Sequence, residues 1–490
     1  MLLPQILLLA GLSLVIGAGL LRYARTNEPR AWIIFAASVV CLYWLQPSAP
    51  IRYLDFWLPT ATLGLAALGW LLTSQPGARL DRTNVLAGLA LGGLVLLAGL
   101  TRYLGGGVGG VLNIRPPAFS QVGLAVLLAA LALSGVAFVL RGARSPGWLL
   151  GAAVLLLIAV LVVLKTPEVT RISASVLRGW MGQNPALATA FDIRWLGFSY
   201  VSFRLIHTLR DRQSGRLPES GLRSYLSYVI FFPALVAGPI DRLERFQRDY
   251  EAEPSALDGA RRTEDLTEAA RRLALGLFKK FALADTLALV ALAPNNALQA
   301  QGAGWLWLML YAYTLLIYLD FSGYTDIAIG LGRLWGVRLP ENFAAPYLRP
   351  NLTQFWNGWH MTLTQWFRAY YFNPFVRWLR GPRIQASPVA VLLLSQLTTF
   401  VLIGLWHGVT WNFAIWGLWH GIGLFAQNRW SDFSRTRFSN QTPGAQRGLR
   451  IFSTALTFHY VALGWVWFTL PTPRMALAVL GRLFGLEAGL

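Results

Sequence analysis

Cysteine, charge and acidic residues are what this sequence has least of. Its 490 residues include one cysteine, Cys41, so neither a disulfide framework nor a Cys-rich zinc site can be built. Only 13% of the residues are charged, against about 25% in a soluble globular protein. That shortfall excludes a soluble enzyme, a disordered chain and a nucleic-acid-binding domain. Acids are scarcest: 22 Asp and Glu face 42 Lys and Arg, for a formal net charge of +20. No Gly-x-Ser-x-Gly elbow occurs, which argues against a hydrolase-type serine nucleophile. No His-Glu-x-x-His and no carboxylate–histidine spacing suits a metal. No convincing internal repeat is present, which weakens transporter readings built on inverted repeats. What fills the chain is apolar: 55% of residues are hydrophobic, in repeated blocks. A spanning helix needs about 20 mostly apolar residues, and these blocks suffice. The pattern describes an all-α, polytopic transmembrane helical bundle.

Candidate spans cover residues 2–21, 31–45, 56–72, 85–100, 122–140, 148–163 and 193–206. Others cover 225–240, 273–292, 305–331, 389–405, 411–425, 451–468 and 475–486. By hydropathy this corresponds to about 11–14 spans plus re-entrant or interfacial helices. The first block lacks a basic n-region and a small-residue cleavage site, and is expected to be a retained span. Gly105-Gly106-Gly107-Val108-Gly109-Gly110 is expected to be a flexible loop, without the strand–turn–helix context of a phosphate cradle. Basic stretches at 22–30, 204–223 and 242–248 suit cytoplasmic loops that attract anionic headgroups. The 21 tryptophans suit headgroup-level belts, although several cluster too tightly for that alone. Basic residues flank 225–240 on both sides, and Pro233, Gly238 and Pro239 interrupt it. A broken or re-entrant helix reconciles the two, if protein surrounds its freed backbone.

Two zones differ in texture. Residues 1–185 are Leu/Ala/Gly/Val-rich and are expected to form an N-terminal transmembrane extension for packing or partner docking. Residues 186–490 place Asp, His, Asn, Tyr and Thr among the apolar blocks. Ionisable groups at membrane depth cost about 2.5–3.5 kcal/mol each on insertion scales and so mark function. The chemistry is therefore expected in this second zone.

The five histidines are His207, His360, His407, His420 and His459. His360 lies in a polar, aromatic stretch in which helical spacing would put Asn357, His360 and Thr364 on one face. His407 and His420 sit in two copies of Gly-Leu-Trp-His-Gly, at 404–408 and 417–421. If one helix ran through both, they would point along widely different azimuths. They could not then easily work as a pair, and the choice is between one of them and His360. Each reading competes with a buried histidine bonded to a carbonyl, the preferred reading for His207 and His459. Cys41 has no context for a nucleophile. What remains is histidine as general base, which suits direct attack by a substrate hydroxyl on an activated acyl group. Upstream, Asp320 and Asp326 enter a long apolar helix. Either they bond to neighbouring helices or Arg, or they line a cavity.

Asp320-Phe-Ser-Gly-Tyr324, Pro340-Glu-Asn-Phe343, Phe355-Trp-Asn-Gly-Trp-His360 and Gly404-Leu-Trp-His-Gly408 occur in this order. With Phe231-Phe-Pro-Ala-Leu-Val-Ala-Gly-Pro239 and Leu463-Gly-Trp-Val-Trp-Phe468, the sequence resembles the bacterial branch of the membrane-bound O-acyltransferases. That branch contains alginate O-acetylases and teichoic-acid D-alanyl transferases. Gly238-Pro-Ile-Asp-Arg242 is closer to the second type and Asp320–Trp356 to the first, so the acceptor stays open. The resemblance implies a helical bundle with a tunnel through the membrane, with residues 186–490 as the catalytic core. It places the family histidine on His407 and the second, less constant position on His360.

The expected function is transfer of an acyl group, acetyl or D-alanyl in type, towards a hydroxyl of an extracytoplasmic cell-envelope polymer or glycan. The donor is a cytosolic thioester, either acyl-CoA or an acyl-carrier protein, with no permanently bound cofactor and no metal. Asp320, Tyr324, Asn342, Asn357 and Trp406 are candidates for the tunnel wall, with His407 as base and His360 orienting a reactant. Expected partners are membrane lipids, the acidic donor steered by basic loops, and an extracytoplasmic lipase-like (SGNH) or polymer-modifying protein. Nucleic acid is not among them. The expected location is the cytoplasmic membrane, crossed many times. The rivals are a polytopic transporter or flippase, and a non-catalytic scaffold of a polysaccharide-export complex.

Overall fold

The computed structural model describes residues 3–23, 26–104, 114–142, 144–253, 259–437 and 442–486. The glycine-rich 105–110 loop lies outside them. Among the described residues every regular element is a helix and none is a strand, which bears out the all-α reading. Seven helices among the described residues are long and apolar enough to cross a membrane: Leu54–Thr73, Arg82–Tyr103, Phe119–Val139, Gly147–Lys165, Ala303–Leu334, Pro388–His407 and Pro443–Thr469. Leu3–Gly17 is a shorter apolar stretch. The other apolar blocks fold as shorter or more polar helices. The chain divides into two compact units: Met1–Leu273 with Ile327–Pro340, and Ala274–Asp326 with Glu341–Leu490.

In the first unit, Leu54–Thr73 is the most buried of the apolar helices. It packs on Phe198–Gln213, Leu222–Val229 and Phe119–Val139. Its buried Thr62 and Thr73 hydroxyls donate to the carbonyls of Leu58 (3.1 Å) and Gly69 (2.8 Å), so they add no unpaired polar group to the interior. Phe119–Val139 and Gly147–Lys165 bury little and expose Leu127, Leu131, Leu155 and Leu156, the surface of a helix made for lipid. Pro167–Trp180 is amphipathic in the other sense. Thr170, Ala174 and Arg178 are buried, while Val169, Ile172, Val176 and Trp180 are exposed.

The interrupted segment is broken as its prolines imply. The helix Leu222–Val229 stops, and a 3-10 turn, Phe232–Ala234, follows. Val229 through Ala234 are buried, and Arg204, itself buried, donates to the carbonyls of Val229 and Ala234 at 2.8 Å each. Buried Arg30 does the same for the carbonyls of Asp249 and Tyr250, at 2.9 and 2.7 Å. Protein cations thus satisfy backbone that no helix ladder serves. His207 is structural here. Its Nε2 accepts the Leu243 N–H (3.2 Å) and its Nδ1 faces Asp211 at 3.3 Å.

The second unit is built on Ala303–Leu334, whose last residues belong to the first unit, and on a hairpin of Pro388–His407 and Trp411–Arg437. Pro443–Thr469 packs beside the hairpin. Ser387 and Thr442 cap helices whose first residues are Pro388 and Pro443, since proline at the first helical position loses no hydrogen bond. The hairpin is close because glycines face backbone. Gly404 lies against the Phe413 carbonyl, Gly417 against Phe400 and Val401, and Gly421 against Leu397.

Candidate functional site

The second unit gathers five of the sequence motifs around one aromatic spine. Its first anchor is the turn that carries His360. The helix Leu352–Gly358 is capped by Asn351, whose Oδ1 accepts the Gln354 N–H at 2.8 Å. It does not run on into Met361–Phe367, because His360 between them has φ +42°. Left-handed backbone is costly for a residue with a Cβ, so other bonds must hold it. The 342–344 segment supplies them. Ala344 N–H donates to the Gly358 carbonyl and Met361 N–H to the Asn342 carbonyl, both at 2.9 Å. The Asn342 Oδ1 accepts from the Thr362 N–H (3.2 Å) and the Thr362 hydroxyl (2.6 Å). Asn342, fully buried, is therefore the substitute cap of the helix after His360.

This geometry corrects the helical-face expectation for Asn357, His360 and Thr364. Asn357 and Thr364 line one cavity of about 190 Å³ with Trp356, Arg368 and Gln396. The Asn357 Oδ1 accepts from Arg368 at 2.8 Å. His360 turns away, because the helix breaks between them. It is buried, and neither ring nitrogen has a hydrogen-bond partner among the described residues. Its ring meets Phe321 edge-on at 4.7 Å and Trp406 at 6.4 Å.

From Trp406 the spine continues. Trp406 lies 4.6 Å from the His407 ring, and His407 lies 5.7 Å from Trp416 and 4.9 Å from Phe468. Trp416 in turn lies 4.9 Å from His420. His420 is completely buried, ringed by Trp356, Trp416 and Tyr460, with both ring nitrogens unpaired among the described residues. His407, the last residue of its helix, is only half-buried. The condition that one helix run through His407 and His420 is not met: the chain reverses at 408–410, and both rings contact Trp416 from different helices. His459 stands apart from this spine, between the Ala455 carbonyl (2.7 Å from Nδ1) and the Tyr311 hydroxyl (2.9 Å from Nε2).

Asp320 and Tyr324 lie elsewhere on Ala303–Leu334. Asp320 is ion-paired with Lys280, and buried Asp326 with Lys279 at 2.7 Å. Those lysines lie in Phe278–Ala284, a π-helical stretch. Gly323 fits against Gly276 and both lysines, with 2.9–3.0 Å left for a Cβ. Tyr324 is buried. The lysine pairing was missed in the sequence because a hydropathy average over 273–292 smooths over two adjacent cations. Phe321, Trp416 and Trp465 were likewise passed over as ordinary apolar positions. Yet Phe321 meets both His360 and Phe343, and Trp465 meets Trp416 and Trp359.

The second unit thus sets His360, His407 and His420 along one aromatic spine, and no group of three or more metal-ligating side chains occurs among the described residues. Comparison with known proteins gives the family. Residues 155–463 match MBOAT, the membrane-bound O-acyltransferase family, and the chain belongs to it. It is 30% identical over 281 residues to the teichoic acid D-alanyltransferase of Bacillus subtilis (strain 168), covering 56% of this chain and 69% of that protein. It is 33% identical over 306 residues to the probable alginate O-acetylase AlgI of Pseudomonas syringae pv. tomato, covering 62% of this chain and 54% of that protein. With the probable alginate O-acetylase AlgI of Pseudomonas aeruginosa it shares 34% over 275 residues, 56% and 48% of the two chains. The chain thus spans between about half and two thirds of the length of these relatives. The resemblance read from the motifs is borne out, and with it an O-acyltransferase by family.

Proposed function

We propose that this protein moves an acyl group from a cytosolic thioester, on coenzyme A or a carrier protein, towards a hydroxyl of an extracytoplasmic polymer or glycan. It does so in the cytoplasmic membrane. The observation that carries the reading is the position of His407: half-buried at a helix end, flanked by Trp406 and Phe468, while His360 and His420 are sealed on either side of it. An accessible imidazole can take the acceptor hydroxyl's proton as oxygen attacks the thioester carbonyl. The C–O bond forms, the C–S bond breaks, and the thiolate leaving group takes up the proton. His360 acts through Trp406, orienting the site, and Asn342 holds the His360 turn in place.

The names of the relatives favour acetyl or D-alanyl as the acyl group and an envelope polymer as acceptor. Two features support a thioester donor. The 190 Å³ cavity beside Trp356 has amide and hydroxyl groups, Asn357, Thr364 and Gln396, that match an amide-bearing arm. The net charge of +20 suits an acidic donor. A lipase-like extracytoplasmic partner would carry the acyl group onward. The test is acyl transfer by purified protein in nanodiscs, offered acetyl-CoA, acetyl-carrier protein or D-alanyl-carrier protein with a soluble hydroxyl acceptor. Thiol release matched by ester formation supports the reading. Acceptor uptake across the bilayer without thioester consumption would replace it with transport.

A further inference from the structure

The helices Trp411–Arg437 and Pro443–Thr469 are neighbours that do not close on one another along their whole length. Between them lies a cleft of about 820 Å³. One wall is a helix face of Gly423, Gln427 and Trp430; the other carries Arg450, Ser453 and Thr457. Each set follows the three-to-four-residue spacing of a single face, the kind of face that a bundle normally packs. At the inner end, Tyr460 fills the space over Gly423. Its hydroxyl donates to the Trp419 carbonyl at 2.5 Å, and Trp419 Nε1 donates back to the Tyr460 carbonyl at 3.1 Å. At the outer end, Trp430, Leu449 and Leu456 are 61%, 51% and 61% exposed.

Charge at the outer end is one-sided. Residues 427–451 hold five arginines and a single acid, Asp432, and Asp432 is taken by Arg429 at 2.6 Å. Arg450 is exposed, lines the cleft and has no carboxylate partner among the described residues. A space with apolar flanks opening sideways, a row of hydroxyls and amides, and an unpaired guanidinium at its rim does not suit water alone. It suits one molecule with an acyl chain and an anionic head.

We propose that this cleft is a binding site for a single anionic glycerophospholipid, with the phosphate on Arg450, the glycerol esters along Gln427 and Ser453, and an acyl chain beside Leu449 and Leu456. Guanidinium and phosphate pair through two parallel charge-assisted hydrogen bonds, and Trp430 sits where indoles favour the headgroup level. The bound chain presses on Tyr460, whose ring lies 6.2 Å from His420, so the lipid braces the wall behind the histidine spine. The proposal is independent of which acyl group the enzyme transfers.

The test uses the full chain in mild detergent, read by native mass spectrometry and thermal melting. The probes are phosphatidylglycerol, phosphatidylcholine, glycerol 1-phosphate and coenzyme A. The expected result is one retained phosphatidylglycerol, a higher melting temperature with it than with phosphatidylcholine, and about tenfold weaker binding in Arg450→Gln, the loss of one charge-assisted contact. Ser453→Trp should fill the cleft and abolish retention while the lipid-free protein melts normally. Equal binding of both lipids, or no effect of Arg450→Gln and Ser453→Trp, overturns the proposal. Glycerol 1-phosphate binding as tightly as the lipid would make this a free-anion site, and displacement by coenzyme A would make it a donor site. Either result also overturns it.

Discussion

Adding one methyl group at Gly417 should loosen the hairpin that carries the histidine spine. A Cβ there would stand 2.7 Å from the Val401 Cα and 2.8 Å from the Phe400 carbonyl carbon, and closer still to its oxygen. All three are backbone atoms, so no side chain can swing aside. Carbon atoms rest about 3.5–4.0 Å apart, so the two helices must part by about 1 Å. Overpacking of this kind costs about 1–3 kcal/mol. His407 ends one helix and Trp416 lies on the other, with rings 5.7 Å apart, so the same displacement moves the proposed base against its frame. A 1 Å misplacement can cost about 10²-fold in rate. Gly417→Ala should therefore melt a few degrees lower and lose about 10–100-fold in acyl transfer per folded molecule. Gly404→Ala should behave alike, since its Cβ would stand 3.0 Å from the Phe413 carbonyl carbon. Gly93→Ala and Gly135→Ala, where nothing lies within 4 Å, are the controls and should match the parent protein. The measurements are melting in detergent and initial acyl-transfer rate, normalised to monodisperse protein. A Gly417→Ala protein with parental melting and parental rate would refute the packing argument outright.

His407→Ala should lower the rate by about 10²–10⁴, the usual worth of a general base, with donor binding by equilibrium titration unchanged; an active variant would remove His407 from the mechanism. His360→Asn should keep more activity than His360→Ala, because Asn still donates and accepts hydrogen bonds, and the losses at 360 and 407 should not add. His420→Gln should reduce yield and melting temperature more than turnover per folded molecule, since a flexible amide loses the ring contacts and must be buried in a fully enclosed aromatic box; parental melting with no activity would make His420 catalytic. Lys279→Ala should destabilise by about 3–5 kcal/mol by removing the cation that faces a buried carboxylate, with Lys280→Ala milder because the Asp320 side chain is 46% exposed. Chemical denaturation of the two variants would settle the order, and equal losses would contradict it.

The helical class, the family and the histidines of the spine were legible because they rest on signals that survive without three-dimensional information. Apolar block length marks the helices, and Trp-His pairs stand out in an apolar background. The break at His360 was not legible. Nothing in Gly358-Trp-His360 distinguishes a continuing helix from a left-handed turn, because what fixes the turn is bonding from Asn342, eighteen residues before His360. Asn342 was picked as tunnel wall from its motif, whereas its side chain caps a helix. The lysine pairs were illegible for a different reason. Asp320 and Asp326 invite a search for arginines, but their partners sit in a π-helical stretch, where the wider turn changes which neighbours face the next helix.

The duplicated Gly-Leu-Trp-His-Gly shows how one local pattern can serve two purposes. In both copies the glycines pack the hairpin: Gly404 and Gly408 face Phe413, and Gly417 and Gly421 face the opposite helix at Phe400 and Leu397. The histidines diverge because of where their helices stop. His407 is the last residue before the chain reverses, and it is only half-buried. His420 lies inside its helix, which runs from Trp411 to Arg437, and its ring is closed in by Trp356, Trp416 and Tyr460. Helix termination, and not the motif, is what leaves His407 half-buried and His420 fully enclosed.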